Sequence, residues 1–207
     1  MKIINNKLVL ASNNHGKIDE FSILFKSWNI KLVPQQTFNV PEIEETGLSF
    51  VENALLKARH CAKYTQLPVL ADDSGLCVDW LTDKPGIYSA RYSGKDTKRS
   101  NAENIKKVLE QLHRVPFNNR KANLQCVLVF LKDSKDQNPI IASGRLHGYI
   151  AEQQAGDKGF GYDSIFYLKE RCNTLAQIDN NIKNMISHRA RAVLSFQHQI
   201  LGQYPRI

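Results

Sequence analysis

Residues 8–28 of the chain read LVLASNNHGKIDEFSILFKSW and contain the pattern that decides the fold. A short apolar run, 8–11, ends in a polar turn, and from Lys17 onward the apolar residues recur at helical spacing. This change of period predicts a β-strand, a turn and an α-helix in direct succession. A unit of this kind is typical of α/β folds.

The rest of the chain continues the alternation of strands and helices. The apolar patterns predict further strands at 30–33, 69–71, 124–131 and 140–147, and further helices at 51–62, 102–112 and 187–201. Ser49 and Glu52 have the spacing of a capping box at the start of the helix that follows them. Because two strands are adjacent in sequence while the others are separated by helices, we predict an α/β fold with a mixed sheet.

Composition narrows the class of protein before any motif is considered. The 207 residues are 42% hydrophobic and 23% charged, which excludes an intrinsically disordered chain. No apolar run approaches the ~20 residues needed to span a bilayer. Residues Met1 to Asn6 lack the apolar core of a secretory signal, so we expect a cytoplasmic protein. We expect one domain over 1–207 with no separable linker, because no repeat or low-complexity segment interrupts the chain.

The formal net charge of +8 favours an anionic partner. A nucleic acid, a phosphorylated small molecule and an acidic lipid surface all fit this charge, and composition does not choose among them. The lysines and arginines are spread along the chain and no nucleic-acid-binding motif is present, which disfavours a nucleic-acid partner. We expect no membrane partner either.

The four cysteines stand far apart in the sequence, at Cys61, Cys77, Cys126 and Cys172. No pair has metal-binding or redox-motif spacing, and a disulfide framework would be sparse for this length. We therefore expect reduced thiols that mostly pack in the core.

The turn at 12–17, SNNHGK, is a candidate anion site. It lies between a strand and a helix, where backbone N–H groups and the helix dipole favour negative charge. Lys17 adds a cation to the first helical turn, where it disfavours the helix unless an anion such as a phosphate meets it. The turn lacks the leading glycine and the trailing serine or threonine of a P-loop, so a plain polar turn is the alternative.

Two pairs of adjacent carboxylates are candidates for metal binding. Asp72-Asp73 follows a predicted buried strand, and Glu44-Glu45 precedes a predicted helix. Adjacent carboxylates repel unless a cation or a proton resolves the repulsion, and few hard oxygen ligands suit Mg²⁺. The alternative is that Asp73 caps a helix beside a solvated Asp72.

Two later segments could contact a nucleotide. Lys183 and the 187–189 segment SHR place three potential cations ahead of a helix, although a lone His188 is more often a surface residue. Phe160 and Tyr162 flank Gly161 in a glycine-rich loop, where aromatic rings can stack on a base or pack into the core.

Taken together, these segments closely resemble the inosine triphosphatase family of purine nucleoside triphosphate pyrophosphatases. The likeness covers about residues 8–201 and rests on seven motifs in order: SNNHGK at 12–17, EETG at 44–47, ENA at 52–54, ADDSG at 71–75, PGIYSAR at 85–91, GFGYD at 159–163 and SHR at 187–189. The first departs from the family's usual pattern by serine for threonine at Ser12 and asparagine for glycine at Asn13.

The resemblance implies roles for individual residues. Those implied to bind substrate are Ser12, Asn13, Asn14, His15, Gly16 and Lys17 at the triphosphate, Lys57 at a phosphate, Ser74, and Phe160, Gly161, Tyr162, Asp163, Lys183, His188 and Arg189 at the nucleoside. Glu44 and Asp73 match the family's Mg²⁺ ligands, and Asp73 matches its general base. The family fold is an elongated mixed β-sheet with flanking helices, in two lobes around a central cleft, and members form homodimers.

The implied activity is Mg²⁺-dependent hydrolysis of ITP, dITP or XTP to the monophosphate and pyrophosphate, which would remove deaminated purines from the nucleotide pool. Two alternatives stay open. One is a related nucleotide diphosphatase that acts on modified pyrimidine nucleotides, against which only the SHR motif argues. The other, from a different class, is a basic nucleic-acid-binding module.

Overall fold

The computed structural model describes residues 7–28, 30–94 and 101–203, without the side chains of 202 and 203. The expectation about residues 1–6 lies outside this part of the chain. Within it, no helix is long and apolar enough to cross a membrane.

The described residues form a mixed sheet of seven strands. These are β1 (Lys7–Leu10), β2 (Lys31–Pro34), β3 (Val69–Val78), β4 (Lys121–Leu131), β5 (Ile140–Ile150), β6 (Phe166–Leu168) and β7 (Asn173–Thr174). Their order across the sheet is β2-β1-β3-β4-β5-β6-β7. Strand β1 runs parallel to β2 and β3, whereas β6 is antiparallel to β5 and β7. The predicted α/β class and mixed sheet are confirmed.

Five α-helices accompany the sheet in the described residues: α1 (His15–Phe25), α2 (Phe50–Thr65), α3 (Asn101–Gln111), α4 (Asn180–Ile186) and α5 (His188–Gln203). The turn-rich segment after β3 contains a 3₁₀ helix, Gly86–Arg91. The sequence patterns found every long element but missed β6, β7 and α4, which are too short to show a period. They also ended β3 at residue 71, because Asp72-Asp73-Ser74-Gly75 has the composition of a turn.

The chain divides into two compact units. Among the described residues, unit 1 comprises 7–28, 30–73, 126–144 and 188–203, and unit 2 comprises 74–94, 101–125 and 145–187. Unit 1 has two clusters of buried side chains, one including Phe21, Phe25 and Phe196 and the other including Ala54 and Ala58 of α2. The core of unit 2 includes Leu76, Ile105, Leu146 and Phe166. Each unit therefore has its own apolar core.

The four cysteines are free thiols, and three of them are buried. Burial raises the pKa of the Cys61 thiol to about 12 and that of the Cys77 thiol to about 11, and it also raises the pKa of Cys126. A thiolate is the reactive form, so these three groups are protected both sterically and chemically. The expectation of reduced, mostly core-packed thiols is confirmed for the structure.

A thiol titration checks this arrangement. We expect a thiol reagent at pH 8 to label one cysteine per native chain, the exposed Cys172, and four after denaturation. In a Cys172→Ser variant, we expect no rapid labelling of the native protein. Rapid labelling of two or more thiols in the native protein would contradict the burial described here.

Candidate active site

The turn after β1 folds as the sequence predicts. Asn14 caps α1, since its side-chain oxygen accepts a hydrogen bond from Lys17 N at 3.1 Å. The Asn14 N–H in turn donates to Ser12 Oγ at 3.2 Å. Asn13 does not adopt a positive φ, and its side chain accepts a hydrogen bond from Gln35 Nε2 at 3.1 Å. The asparagine at position 13 is thus accommodated without backbone strain.

Asp72 and Asp73 lie inside β3, not beyond its end. Successive residues of a strand point to opposite faces of the sheet, so the two carboxylates are directed away from each other. Asp72 is 1% exposed, and its Oδ2 lies 2.8 Å from Lys17 Nζ. The alternative of a helix-capping Asp73 beside a solvated Asp72 is therefore wrong.

The ion pair with Asp72 also gives another reason for a lysine at the start of α1. From the sequence, we expected a phosphate to balance the positive charge of Lys17 at the start of the helix. In the structure, the buried Asp72 carboxylate already balances this charge. Lys17 remains 15% exposed. A phosphate at this turn would therefore interact with a lysine that is already oriented by Asp72.

The two aspartates differ in proton affinity. Burial disfavours the Asp72 carboxylate, but Lys17 and Lys57 outweigh this effect and hold the pKa of Asp72 below its ordinary value. For Asp73, burial prevails over the attraction of the same two lysines and, with the negative charge of Glu45, raises the pKa. A pair of carboxyl groups with pKa values shifted apart is typical of acid–base sites, and Asp73 is the member suited to accept a proton.

Lys57 connects Asp73 to the segment EETG at 44–47, which we call the acidic turn. Its Nζ lies 2.7 Å from Glu45 Oε1 and 3.1 Å from Asp73 Oδ1. Burial would lower the pKa of Lys57, but Asp73, Asp72 and Glu45 together raise it, so the lysine is charged. Glu44 is exposed and makes no ion pair within the described chain. Lys57 thus bridges the carboxylates of Glu45 and Asp73, and the sequence analysis did not predict this role for Glu45.

The start of α2 fixes the position of the acidic turn. Ser49 caps the helix by accepting a hydrogen bond from Glu52 N at 3.2 Å, as the capping-box spacing predicts. The Glu52 carboxylate accepts from Leu48 N, and the buried Asn53 side chain accepts from Gly47 N at 2.8 Å. A Cβ at Gly47 would lie 2.6 Å from Glu52 Cβ, so glycine is needed for this close approach.

Arg189 lies in the first turn of α5 and pairs with α1. Its Nη1 is 2.8 Å from Glu20 Oε2, and both side chains are largely buried. Gly144 of β5 permits this position of the helix, because a Cβ there would lie 2.3 Å from both His188 O and Ala192 N. Glu20 was not identified from the sequence, although its spacing of three from Lys17 puts both residues on one face of α1.

In unit 2, Asp163 organises the glycine-rich loop. Its Oδ2 accepts hydrogen bonds from Phe160 N at 2.9 Å and from Lys183 Nζ at 2.6 Å. The same ammonium lies 5.3 Å from the centre of the Phe160 ring. A Cβ at Gly159 would collide with Asp163 Oδ2 at 2.1 Å, and this glycine has a φ of +74°. Lys183 and Asp163 are thus a buried pair that supports Phe160.

The two rings of this loop have different environments. Phe160 is half-buried, whereas Tyr162 is 8% exposed and its ring belongs to the core of unit 2. Of the two possibilities that the sequence left open for these rings, Tyr162 therefore takes the second and packs into the core. Phe160, in contrast, remains partly exposed.

The predicted site residues divide between the two units. Unit 1 holds Ser12, Asn13, Asn14, His15, Gly16, Lys17, Glu44, Lys57, Asp73, His188 and Arg189, and unit 2 holds Ser74, Phe160, Gly161, Tyr162, Asp163 and Lys183. Within unit 1, ion pairs connect Lys17 to one aspartate and Lys57 to the other. Within unit 2, one hydrogen-bonded cluster contains Phe160, Asp163 and Lys183.

The carboxylates of unit 1 fit a hard divalent cation. Asp73 Oδ2 is buried and has no hydrogen-bond partner among the described residues. No group of three or more His, Cys, Asp and Glu side chains in the described ranges is arranged to hold a metal. Mg²⁺ does not require such a group, because it keeps several waters and commonly binds through one or two carboxylates and substrate phosphates.

Comparison with known proteins decides the family. The Ham1 family model matches residues 8–199, nearly the whole chain. The chain belongs to the Ham1 family. Relatives within this family include the dITP/XTP pyrophosphatase of Neisseria meningitidis serogroup B, which is 48% identical over 90% of this chain and 92% of its own length. The dITP/XTP pyrophosphatase of Escherichia coli K12 is 46% identical over 90% of this chain and 94% of its own.

Solved structures of Ham1 proteins agree with this assignment. The HAM1 protein of Coxiella burnetii is 44% identical to this chain and matches it with a TM-score of 0.85, covering 95% of this chain and 98% of that one. The fold of the chain is therefore that of the Ham1 proteins, as the family resemblance implied.

Proposed function

We propose that this protein hydrolyses dITP, ITP and XTP to the nucleoside monophosphate and pyrophosphate, with Mg²⁺ as cofactor. The observation that carries this proposal is the pair of aspartates in β3, each of which is paired with its own lysine: Asp72 with Lys17 at 2.8 Å and Asp73 with Lys57 at 3.1 Å. The names of relatives that are 46–48% identical support the choice of substrate.

In the proposed mechanism, Asp73 and Glu44 would hold the metal, and the metal would neutralise negative charge on the phosphate oxygens. Asp73 also accepts the proton of the attacking water. Lys57 fixes the Asp73 carboxylate through Oδ1 and leaves Oδ2 available. The exposed Glu44 lies next to Glu45, which Lys57 holds in place.

The phosphates bind at the turn 12–17 in this proposal. Ser12, Asn13, Asn14, His15 and Gly16 provide the turn, and Lys17 provides a charge that is oriented by Asp72. A cation and backbone N–H groups at a helix N-terminus stabilise negative charge on a leaving pyrophosphate. Asp72 thus acts on the lysine rather than on the substrate.

The base is bound by residues of the two later motifs. Phe160 stacks on the purine, and His188, Arg189 or Lys183 is the donor for its 6-oxo group. Hypoxanthine, the base of inosine, and xanthine carry a hydrogen-bond acceptor at this position, whereas adenine carries an amino donor. Ser74 and the loop residues Gly161 and Asp163 complete the contacts that the family resemblance implies.

The test is a pyrophosphate-release panel. The protein is incubated with Mg²⁺ and each common and deaminated nucleoside triphosphate, and pyrophosphate and orthophosphate are measured separately. Release of pyrophosphate from dITP, ITP and XTP well above that from the common nucleotides supports the proposal. Release of orthophosphate, or equal turnover of all nucleotides, contradicts it.

Replacing Lys17 tests the phosphate site. We expect Lys17→Ala to lower kcat/KM for dITP and to weaken the triphosphate more than the monophosphate product, because Lys17, oriented by Asp72, is placed to meet phosphates at the helix start. Lys26→Ala, which removes an exposed lysine at the other end of α1, is the control and should behave as wild type. Equal weakening of substrate and product would place Lys17 away from the leaving group.

We also propose that residues 1–207 function as one domain in the cytoplasm and that the protein is a homodimer, as the family resemblance implies. Light scattering of the purified protein decides the second point, since a monomer would scatter with the mass of one chain.

A further inference from the structure

The segment Pro85–Arg91 carries one of the family motifs but has no role in the proposed function. In the structure its 3₁₀ helix is fixed against β3 by Ser89. Ser89 Oγ accepts a hydrogen bond from Leu76 N at 2.9 Å and donates to Gly86 O at 2.6 Å. A Cβ at Gly75 would lie 2.4 Å from Gly86 O and Ser89 Oγ, so β3 and this segment are in close backbone contact.

A buried side chain of α3 holds the far end of the same segment. Asn104 is 2% exposed, and its Nδ2 donates to Ala90 O at 3.1 Å while its Oδ1 accepts from Ser93 N at 2.8 Å. Both functional groups of the amide are therefore bonded to backbone on either side of Arg91. The Pro85–Arg91 segment is anchored at two points to regular elements of unit 2.

The glycine-rich loop is attached to this anchored segment by Tyr162. The Tyr162 hydroxyl donates a hydrogen bond to Ser89 O at 2.8 Å, and this contact is buried. Its ring packs in a core that also contains Leu76 and Phe166. The tyrosine therefore reaches from the loop through the core to the backbone of the Pro85–Arg91 segment.

Phe160 stands two residues before Tyr162 in the same loop. Its N–H is held by Asp163, and its ring lies beside the Lys183 ammonium. The segment between them contains Gly161, with a φ of +61° and open space around a Cβ, so the loop has little packing of its own there. The position of Phe160 therefore depends on two fixed residues that follow this glycine, Tyr162 and Asp163.

We propose that Tyr162 is a positioning residue, which uses the Pro85–Arg91 segment as a rigid support to hold the base-contacting loop, through the hydrogen bond from its hydroxyl to Ser89 O. This inference rests on the proposed function, because it assumes that Phe160 contacts the base. It assigns the PGIYSAR motif a structural task in substrate binding. It also replaces the stacking role that the aromatic character of Tyr162 suggested.

The Tyr162→Phe variant tests the contact, because it keeps the buried ring and removes only the hydroxyl. A neutral hydrogen bond of this kind contributes a factor of roughly 3–10 to an equilibrium. We expect the KM for dITP to rise by about that factor. We expect kcat to change by less than about twofold, because the groups around Asp73 are untouched. Hydrogen exchange of backbone amides in residues 156–166 of the nucleotide-free protein should become faster.

Tyr149→Phe is the matched control. Tyr149 also lies in unit 2, but it belongs neither to the loop nor to the Pro85–Arg91 segment, and its hydroxyl makes no hydrogen bond with the described residues. It should leave KM and the exchange of residues 156–166 unchanged. A second variant, Asn104→Asp, keeps the acceptor for Ser93 N and removes the donor to Ala90 O. This variant should loosen the Pro85–Arg91 segment and, like Tyr162→Phe, raise the KM for dITP.

The outcomes separate the two proposals. If the wild-type protein releases no pyrophosphate from dITP, the proposed function fails, whereas the exchange measurement still tests the contact. If the wild type is active and Tyr162→Phe matches it in both KM and exchange, the positioning role is overturned. Equal effects of Tyr149→Phe and Tyr162→Phe would also overturn it, because they would show that removing any tyrosine hydroxyl from unit 2 has the same consequence.

Discussion

The Asp73→Asn variant is expected to lose nearly all turnover of dITP while keeping its fold. An amide has the shape of the carboxylate and can still accept a hydrogen bond from Lys57 Nζ, which lies 3.1 Å from Asp73 Oδ1. It cannot take a proton from water, however, and it is a poorer ligand for Mg²⁺. Loss of the base alone lowers a rate by roughly 10²–10⁴. The measurements are kcat for pyrophosphate release and a thermal melt.

Asp19→Asn is the appropriate control, because Asp19 is an exposed carboxylate of α1 in the same unit. It should retain wild-type activity. Asp72→Asn is not a neutral control, since it would leave Lys17 without the partner that orients it. If Asp73→Asn keeps more than about a tenth of the wild-type kcat, Asp73 is not the general base.

The second large effect concerns the choice of base. We expect kcat/KM for dITP to exceed that for dATP by roughly 10²-fold or more, because a site built to donate a hydrogen bond to the 6-oxo group leaves a buried donor facing the 6-amino group of adenine. Stacking on Phe160 adds affinity for both purines and little discrimination, because every base has a π-face. Comparable values for the two nucleotides would refute this form of base recognition.

Arg189→Ala shows whether the arginine takes part in that discrimination. We expect the ratio of dITP to dATP activity to fall, since a donor for the 6-oxo group is removed. Arg191→Ala removes an exposed arginine two residues further along α5 and should leave the ratio unchanged. Because Arg189 also pairs with Glu20 at 2.8 Å, a thermal melt must accompany the kinetics. An unchanged ratio in Arg189→Ala would exclude it from base selection.

Local sequence patterns predicted those parts of this protein that depend on near neighbours in the chain. The strand, turn and helix at 8–28 follow from a change in apolar period, and Asn14 and Ser49 cap helices where their residue types indicate. The α/β class follows from the order of these elements. The order of motifs along the chain was also sufficient to indicate the family.

The tertiary structure decided which charged groups meet. Nothing in the sequence pairs Lys17 with Asp72, or Lys57 with Glu45 and Asp73, because these partners are far apart in the chain and come together only when α1 and α2 pack on the sheet. Burial by itself raises the pKa of both adjacent aspartates, but the charges that face each of them differ. The pKa of Asp72 is therefore lowered and that of Asp73 is raised. Likewise, an aromatic residue in a glycine-rich loop can stack or be buried, and only the packing of unit 2 placed Tyr162 in the core and left Phe160 partly exposed. Local propensity depends on adjacent residues, whereas ion pairing and burial depend on distances that the completed fold alone establishes.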